Sequence, residues 1–205
     1  MSLITAISVQ EKRKERCNIY IDGEFFAGVP TETVYSLRLK VGDKTDSERL
    51  KEIIDTAEKS DAVNKAADYI SKYMKTKRQV KDYLVKKGYS ETAAYYAVDK
   101  LKEYGYICDK DYSSRFIDST RKTQGKKLIE SKLMMKGVKK EDIAGAFEEK
   151  NYTGKEDAAA LAQKHMRGKE PTKENVAKTY RYLLGKGFSY DEAEHAVRLF
   201  KGEDD

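Results

Sequence analysis

The chain has 205 residues, with 41 Lys or Arg against 35 Asp or Glu and a formal net charge of +6. At 37% charged and 39% hydrophobic residues it points to several small cores rather than one large one, and the modest basic excess suggests an anionic partner, either nucleic acid or an acidic protein surface. No apolar run is long enough to span a bilayer, the N-terminus lacks the pattern of a cleaved leader, and Cys17 and Cys108 fit neither a disulfide framework nor a zinc site. Together these features predict a cytoplasmic protein with no membrane contact.

From Leu3 to Val29 the chain alternates like strands. The run Asn18-Ile19-Tyr20-Ile21 enters Asp22-Gly23 and leaves through Glu24-Phe25-Phe26. Asp-Gly between β-branched and aromatic runs predicts a type I′ hairpin, because that turn needs positive φ at both central residues. Lys12, Arg13, Lys14 and Arg16 are expected in the link between the first two strands, as a solvated basic turn. Pro30 stops the last strand, and Thr31 to Lys40 is expected to form a short helix. Thr45-Asp46-Ser47-Glu48 reads as a capping box that opens a helix burying Leu50, Ile53 and Ile54. Residues 1–60 thus form a small antiparallel β module with short helices.

Three helical segments follow, organised by a repeated tetrapeptide: Lys87-Gly88-Tyr89-Ser90, Lys136-Gly137-Val138-Lys139 and Lys186-Gly187-Phe188-Ser189. Gly137 stands 49 residues after Gly88, and Gly187 a further 50. Leu84, Leu133 and Leu183 each precede their glycine by four positions, and matched apolar triplets follow it (Ala94, Ala97, Val98; Ile143, Ala146, Phe147; Ala193, Ala196, Val197). Each unit reads as helix, glycine, helix: the glycine supplies the left-handed residue that ends one helix, and Ser90 or Ser189 caps the next. Lys139 leaves the middle copy without a cap. The units are expected at 61–108, 109–150 and 151–205, giving a mainly α protein of three tandem three-helix repeats in an elongated array. The first begins near Asp61 with Val63, Ala66, Ala67, Ile70 and Met74 in helical spacing, and the last five residues, from Lys201, are expected to fray.

Little here suggests catalysis. His165 and His195 stand alone on predicted helices, carboxylate pairs lie on charged faces, and no Gly-rich phosphate loop follows a strand, so no cofactor or metal site is expected. Fifteen tyrosines raise the idea of base stacking, yet Tyr69, Tyr83, Tyr95, Tyr96, Tyr104 and Tyr180 fall where helix packing would use them. The sharpest functional feature is the second helix of the repeats. Lys75 to Lys87 carries six basic residues and one acidic, and Arg121 to Lys140 eight and one. Lys77, Arg78, Lys81, Arg121, Lys126, Lys127, Lys132 and Lys136 are therefore the candidate residues for contacting a partner.

The opening strands with Ile19-Tyr20-Ile21-Asp22-Gly23-Glu24-Phe25, the run from Val80 to Tyr89, the segment Leu101 to Ile107 followed by Asp109, Tyr112 and Phe116, and the closing Tyr180 to Phe188 together resemble the RecX family of bacterial regulators. The resemblance covers nearly the whole chain and implies three tandem three-helix repeats and a non-enzymatic role; a monomer is expected. It would bind the RecA nucleoprotein filament in its groove and dampen ATP hydrolysis, strand exchange and filament growth, with single- or double-stranded DNA as a further contact. One departure is Lys75-Thr76, where the family often has Arg-Pro before the second helix. A different reading of the same residues is a stand-alone helical DNA-binding regulator.

Overall fold

The Asp22-Gly23 hairpin forms as the sequence dictates, with both central residues at positive φ (51° and 87°). The computed structural model describes residues 1–11 and 13–200, and Arg13 by its backbone alone. Strands β1 (Ser2–Gln10), β2 (Arg13–Ile21), β3 (Glu24–Pro30) and the two-residue β4 (Lys44–Thr45) make an antiparallel sheet in the order β3-β2-β1-β4. The basic segment expected as a turn is mostly strand: Lys14 and Arg16 belong to β2, which pairs with β1 as far as Gln10↔Arg13. Charged residues are tolerated there because alternate positions of a strand face away from the core. Lys12 and the frayed end expected from Lys201 lie outside the described residues.

Helix α1 (Thr31–Ser36) is shorter than expected, since Arg38 at φ 52° turns the chain before Leu39. Helix α2 (Ser47–Ser71) is capped by Asp46, whose carboxylate accepts from the Glu48 and Arg49 amides; Thr45 is not the cap. It runs unbroken through the junction expected near residue 61, because nothing between Ile54 and Ala62 breaks a helix. Leu50 and Ile54 pack on the sheet module and Ala62 and Ala66 in the next core, while Ile53 is exposed. Met74 lies beyond the helix end and is exposed.

Residues 1–108 and 109–205 form two compact units. In the first, α2 is followed by α3 (Lys77–Lys87) and α4 (Glu91–Glu103). The second contains α5 (Asp109–Thr120), α6 (Lys126–Met135), α7 (Lys140–Glu149), α8 (Lys155–Met166), α9 (Lys173–Gly185) and α10 (Tyr190–Arg198). Each helix triplet has its own buried cluster, and in each the first and third helices make the broadest contact.

The repeated Leu-x-x-x-Gly is a repeated helix ending. The amides of Tyr89, Val138 and Phe188 donate back to the carbonyls of Leu84, Leu133 and Leu183 at 3.1, 3.1 and 3.2 Å. Gly88, Gly137 and Gly187 take φ of 101°, 84° and 88°, and the residue after each is buried beside its leucine. This is the Schellman arrangement, which satisfies carbonyls the helix would otherwise leave unpaired. The next helix then opens on Ser90 or Ser189, whose hydroxyls accept from the Ala93 and Glu192 amides, whereas Lys139 offers no side-chain cap. Thr76 caps α3 in a full capping box with Gln79.

Neighbouring modules are tied within each unit. In the first, the buried carboxylate of Glu58 on α2 accepts from the Ser90 amide and hydroxyl, both at 2.8 Å, and Arg16 reaches the Gly28 carbonyl while its stem lies against Gly88. In the second, Gly125 ahead of α6 donates to the Lys186 carbonyl (2.9 Å) and Lys127 to that of Gly187 (3.2 Å), so the positive end of α6 meets the last carbonyls of α9.

Candidate partner-binding faces

On α3, Lys77, Arg78 and Lys81 fall on neighbouring positions of one and a fraction turns, while Val80 and Leu84 point into the core. Arg78 is solvent-exposed and sits 3.6 Å from Asp82, a surface pair that is worth about 0–1 kcal/mol and leaves the charge available. Lys81 Nζ lies 3.4 Å from the Tyr95 hydroxyl and 5.0 Å from its ring centroid, and its pKa is raised, first by that hydrogen bond.

The basic residues of the second unit divide. Arg121 is committed internally: its Nε donates to Asp157 at 2.7 Å, its guanidinium lies over the Tyr152 ring, and the hydrogen bond to Asp157 raises its pKa. It joins the loop before α6 to α8. Lys126, Lys127 and Lys132 lie on α6, and Lys136 just past its end. Lys126 sits over Phe147 at 5.2 Å and 4.0 Å from Glu130, and Lys136 over Phe116 at 5.8 Å, both rings belonging to their own repeat. Lys127 leans the other way, over exposed Tyr190 of α10 at 5.5 Å. The spacing explains this, since positions 127 and 136 are about two and a half turns apart and so emerge on opposite sides. Lys132 and Lys136, one turn apart, share a side with exposed Met135 nearby.

Several of the tyrosines expected to pack do not. Tyr69 and Tyr83 are half-buried and stacked, but Tyr95, Tyr96 and Tyr104 are exposed at 52%, 40% and 63%. The inner face of α4 is filled by Ala93, Ala94, Ala97, Val98 and Leu101, which turns Tyr95 and Tyr96 outward. Ammonium groups gather on these rings. Lys59 and Lys100 flank Tyr96, Lys75 covers Tyr69 and Tyr73, and Lys186 covers Tyr182, which stacks on His165. Composition named the cations but not these partners; only Lys100 and Lys186, each one turn after its tyrosine, could have been paired by spacing. His165 is otherwise a packed residue, its Nδ1 3.0 Å from the Thr179 hydroxyl, and burial followed by Lys169 holds its pKa below the usual histidine value. Among the described residues no group of acidic, His or Cys side chains could hold a metal ion, and no helix is long and apolar enough to cross a membrane.

Comparison with known proteins agrees with this architecture. Residues 2–46 match the regulatory protein RecX N-terminal domain, 62–101 the RecX first three-helix domain and 155–197 the RecX third three-helix domain. The regulatory protein RecX of Clostridium botulinum (strain Alaska E43) is 37% identical over 210 residues, covering 97% of this chain and 96% of its own. A crystal structure of a regulatory protein RecX superposes with a TM-score of 0.66 at 26% identity, over 97% of this chain and all of the other. That of RecX from Lactobacillus salivarius gives 0.65 at 26% identity, over 71% of this chain and 97% of the other.

Proposed function

This chain belongs to the RecX family of regulatory proteins, and we propose that it modulates the RecA recombinase by lodging in the groove of the RecA–DNA filament, slowing ATP hydrolysis, strand exchange and filament growth. As a regulator of this family it is not an enzyme. The observation that carries the reading is the pair of basic second helices. Arg78 and Lys81 on α3, and Lys126, Lys127 and Lys136 on and just after α6, lie against aromatic rings or in weak surface ion pairs, with Lys77 and Lys132 on the same two helices. A ring beneath an ammonium orients it without cancelling its charge. Affinity is then the sum of many modest contacts with phosphates and acidic side chains. Arg121, already paired with Asp157, belongs to the scaffold in this account.

A stand-alone base reader fits less well. The third helices open on Glu91, on Glu141 and Asp142, and on Asp191 and Glu192, which would repel the phosphates beside a major groove.

The test is RecA ATP hydrolysis on single-stranded DNA with this protein titrated in at two salt concentrations. Inhibition at substoichiometric protein is expected, weakening steeply with salt. Single Lys→Glu changes should cost at most about tenfold in potency, whereas reversing each group together should abolish it. Unchanged inhibition after reversal of both groups would sink the proposal.

A further inference from the structure

Between the end of α2 and the start of α3 lies a notch of about 360 Å³, lined by Lys65, Asp68, Tyr69, Lys72, Tyr73, Lys75 and Tyr83. Tyr69 and Tyr83 form one wall, stacked at 3.9 Å between centroids and 5° between planes. The Lys75 ammonium stands 5.1 Å from the Tyr69 centroid and 5.6 Å from that of Tyr73. Tyr73 belongs to no core cluster and is 73% exposed, a large aromatic surface left in water beside three lysines and a single carboxylate, Asp68. The notch is held in shape from both sides: Tyr69 rises from α2, and the capping box of buried Thr76 fixes where α3 begins.

We propose that this notch binds one nucleotide unit of a single-stranded nucleic acid, the base lying on the Tyr73 ring and the phosphate received by Lys65, Lys72 and Lys75. Lysines interleaved with an accessible ring are the arrangement by which proteins hold single strands without reading sequence. An acidic peptide would use the ammonium groups and leave the Tyr73 face bare. A duplex keeps its base faces stacked and offers only phosphate. The volume sits at the lower end of small-ligand sites, about 300–1,000 Å³, as a single nucleotide requires. None of Lys77, Arg78, Lys81 or the α6 lysines lines the notch, and its test contains no RecA, so either proposal can fail alone.

The chain has no tryptophan, so Tyr73→Trp places one indole in the notch while keeping an aromatic face. Titrating that variant with oligo-deoxythymidine at low salt should quench its emission to saturation. An abasic oligonucleotide of equal length and poly-glutamate should leave it unchanged. Binding followed by anisotropy of a labelled oligonucleotide should weaken roughly five- to hundredfold in Tyr73→Ala, the range seen for losing one stacked base. Because Tyr73 is exposed, the thermal melt should not move. Quenching by the abasic strand would reduce the site to a phosphate contact, and quenching by poly-glutamate would make it an acidic-protein site. Oligonucleotide binding without quenching would place the strand elsewhere on the protein. Each of these three results overturns the proposal.

Discussion

Tyr89 and Tyr152 occupy comparable places, each beside the end of a helix in its own core, yet their hydroxyls have opposite fates. The Tyr89 hydroxyl donates to Asp61; that of Tyr152 is buried and finds no partner among the described residues. A buried polar atom without a partner forfeits its hydration for nothing, whereas removing a donor from a carboxylate loses a charge-assisted bond. Tyr152→Phe should therefore leave thermal stability unchanged or raise it, and Tyr89→Phe should lower it by about 1.5–3 kcal/mol, as a urea titration of each would show. Both hydroxyls hold their protons to higher pH than an ordinary tyrosine. For Tyr152 the value is pushed up to about 12, first by burial and then by the charges of Glu192 and Asp157; for Tyr89 burial leads and the bond to Asp61 follows. A raised value in the fold means that the contribution is intact below the ordinary tyrosine range near 10 and is lost as pH climbs above it. Stability should thus fall between about pH 10 and 12, and more gently in Tyr152→Phe.

At the level of elements, glycine acts in three separable ways. Gly105, at φ 74°, has nothing near the place a side chain would occupy. Gly125 has an ordinary negative φ, but a methyl there would stand 2.3 Å from the Phe188 amide nitrogen. Gly187 combines both, at φ 88° with a methyl 2.6 Å from the Leu128 backbone. Replacement by Ala should cost about 1 kcal/mol at Gly105 from backbone strain alone, and clearly more at Gly125 and Gly187, with Gly187 the worst, in equilibrium unfolding. The helix endings were legible because their determinants are local: Leu, three residues, Gly and a buried follower all lie within six consecutive residues. The missing cap at Lys139 was legible for the same reason. The partner of Arg121 was not, since Asp157 stands 36 positions further on and only folding brings it near. The outward turn of Tyr95 and Tyr96 was hidden because alanines, not aromatics, fill the inner face of α4.

Across the whole molecule, 41 basic and 35 acidic residues leave a small excess, so what matters is where the cations are held rather than how many there are. Buried carboxylates such as Glu58 and the half-buried Asp157 serve the scaffold, while the lysines of α3 and α6 stay at the surface. The salt sensitivity expected of RecA inhibition belongs at this scale, because it counts every displaced counterion at once. Reversing the three α3 cations should flatten that dependence as well as weaken the effect, a distinction that a change of potency at one ionic strength would miss.

Helix α2 works as a shaft with a cam at each end: Leu50 and Ile54 engage the sheet module, Glu58, Ala62 and Ala66 the first helix triplet. An α-helix advances by about 100° per residue, so angular phase along the shaft is as necessary as length. One alanine inserted between Asp55 and Thr56 would turn one cam by more than a quarter circle against the other. Seven would restore the phase to within about 20° while lengthening the shaft by two turns. Melting curves should show the single insertion to be the more damaging of the two.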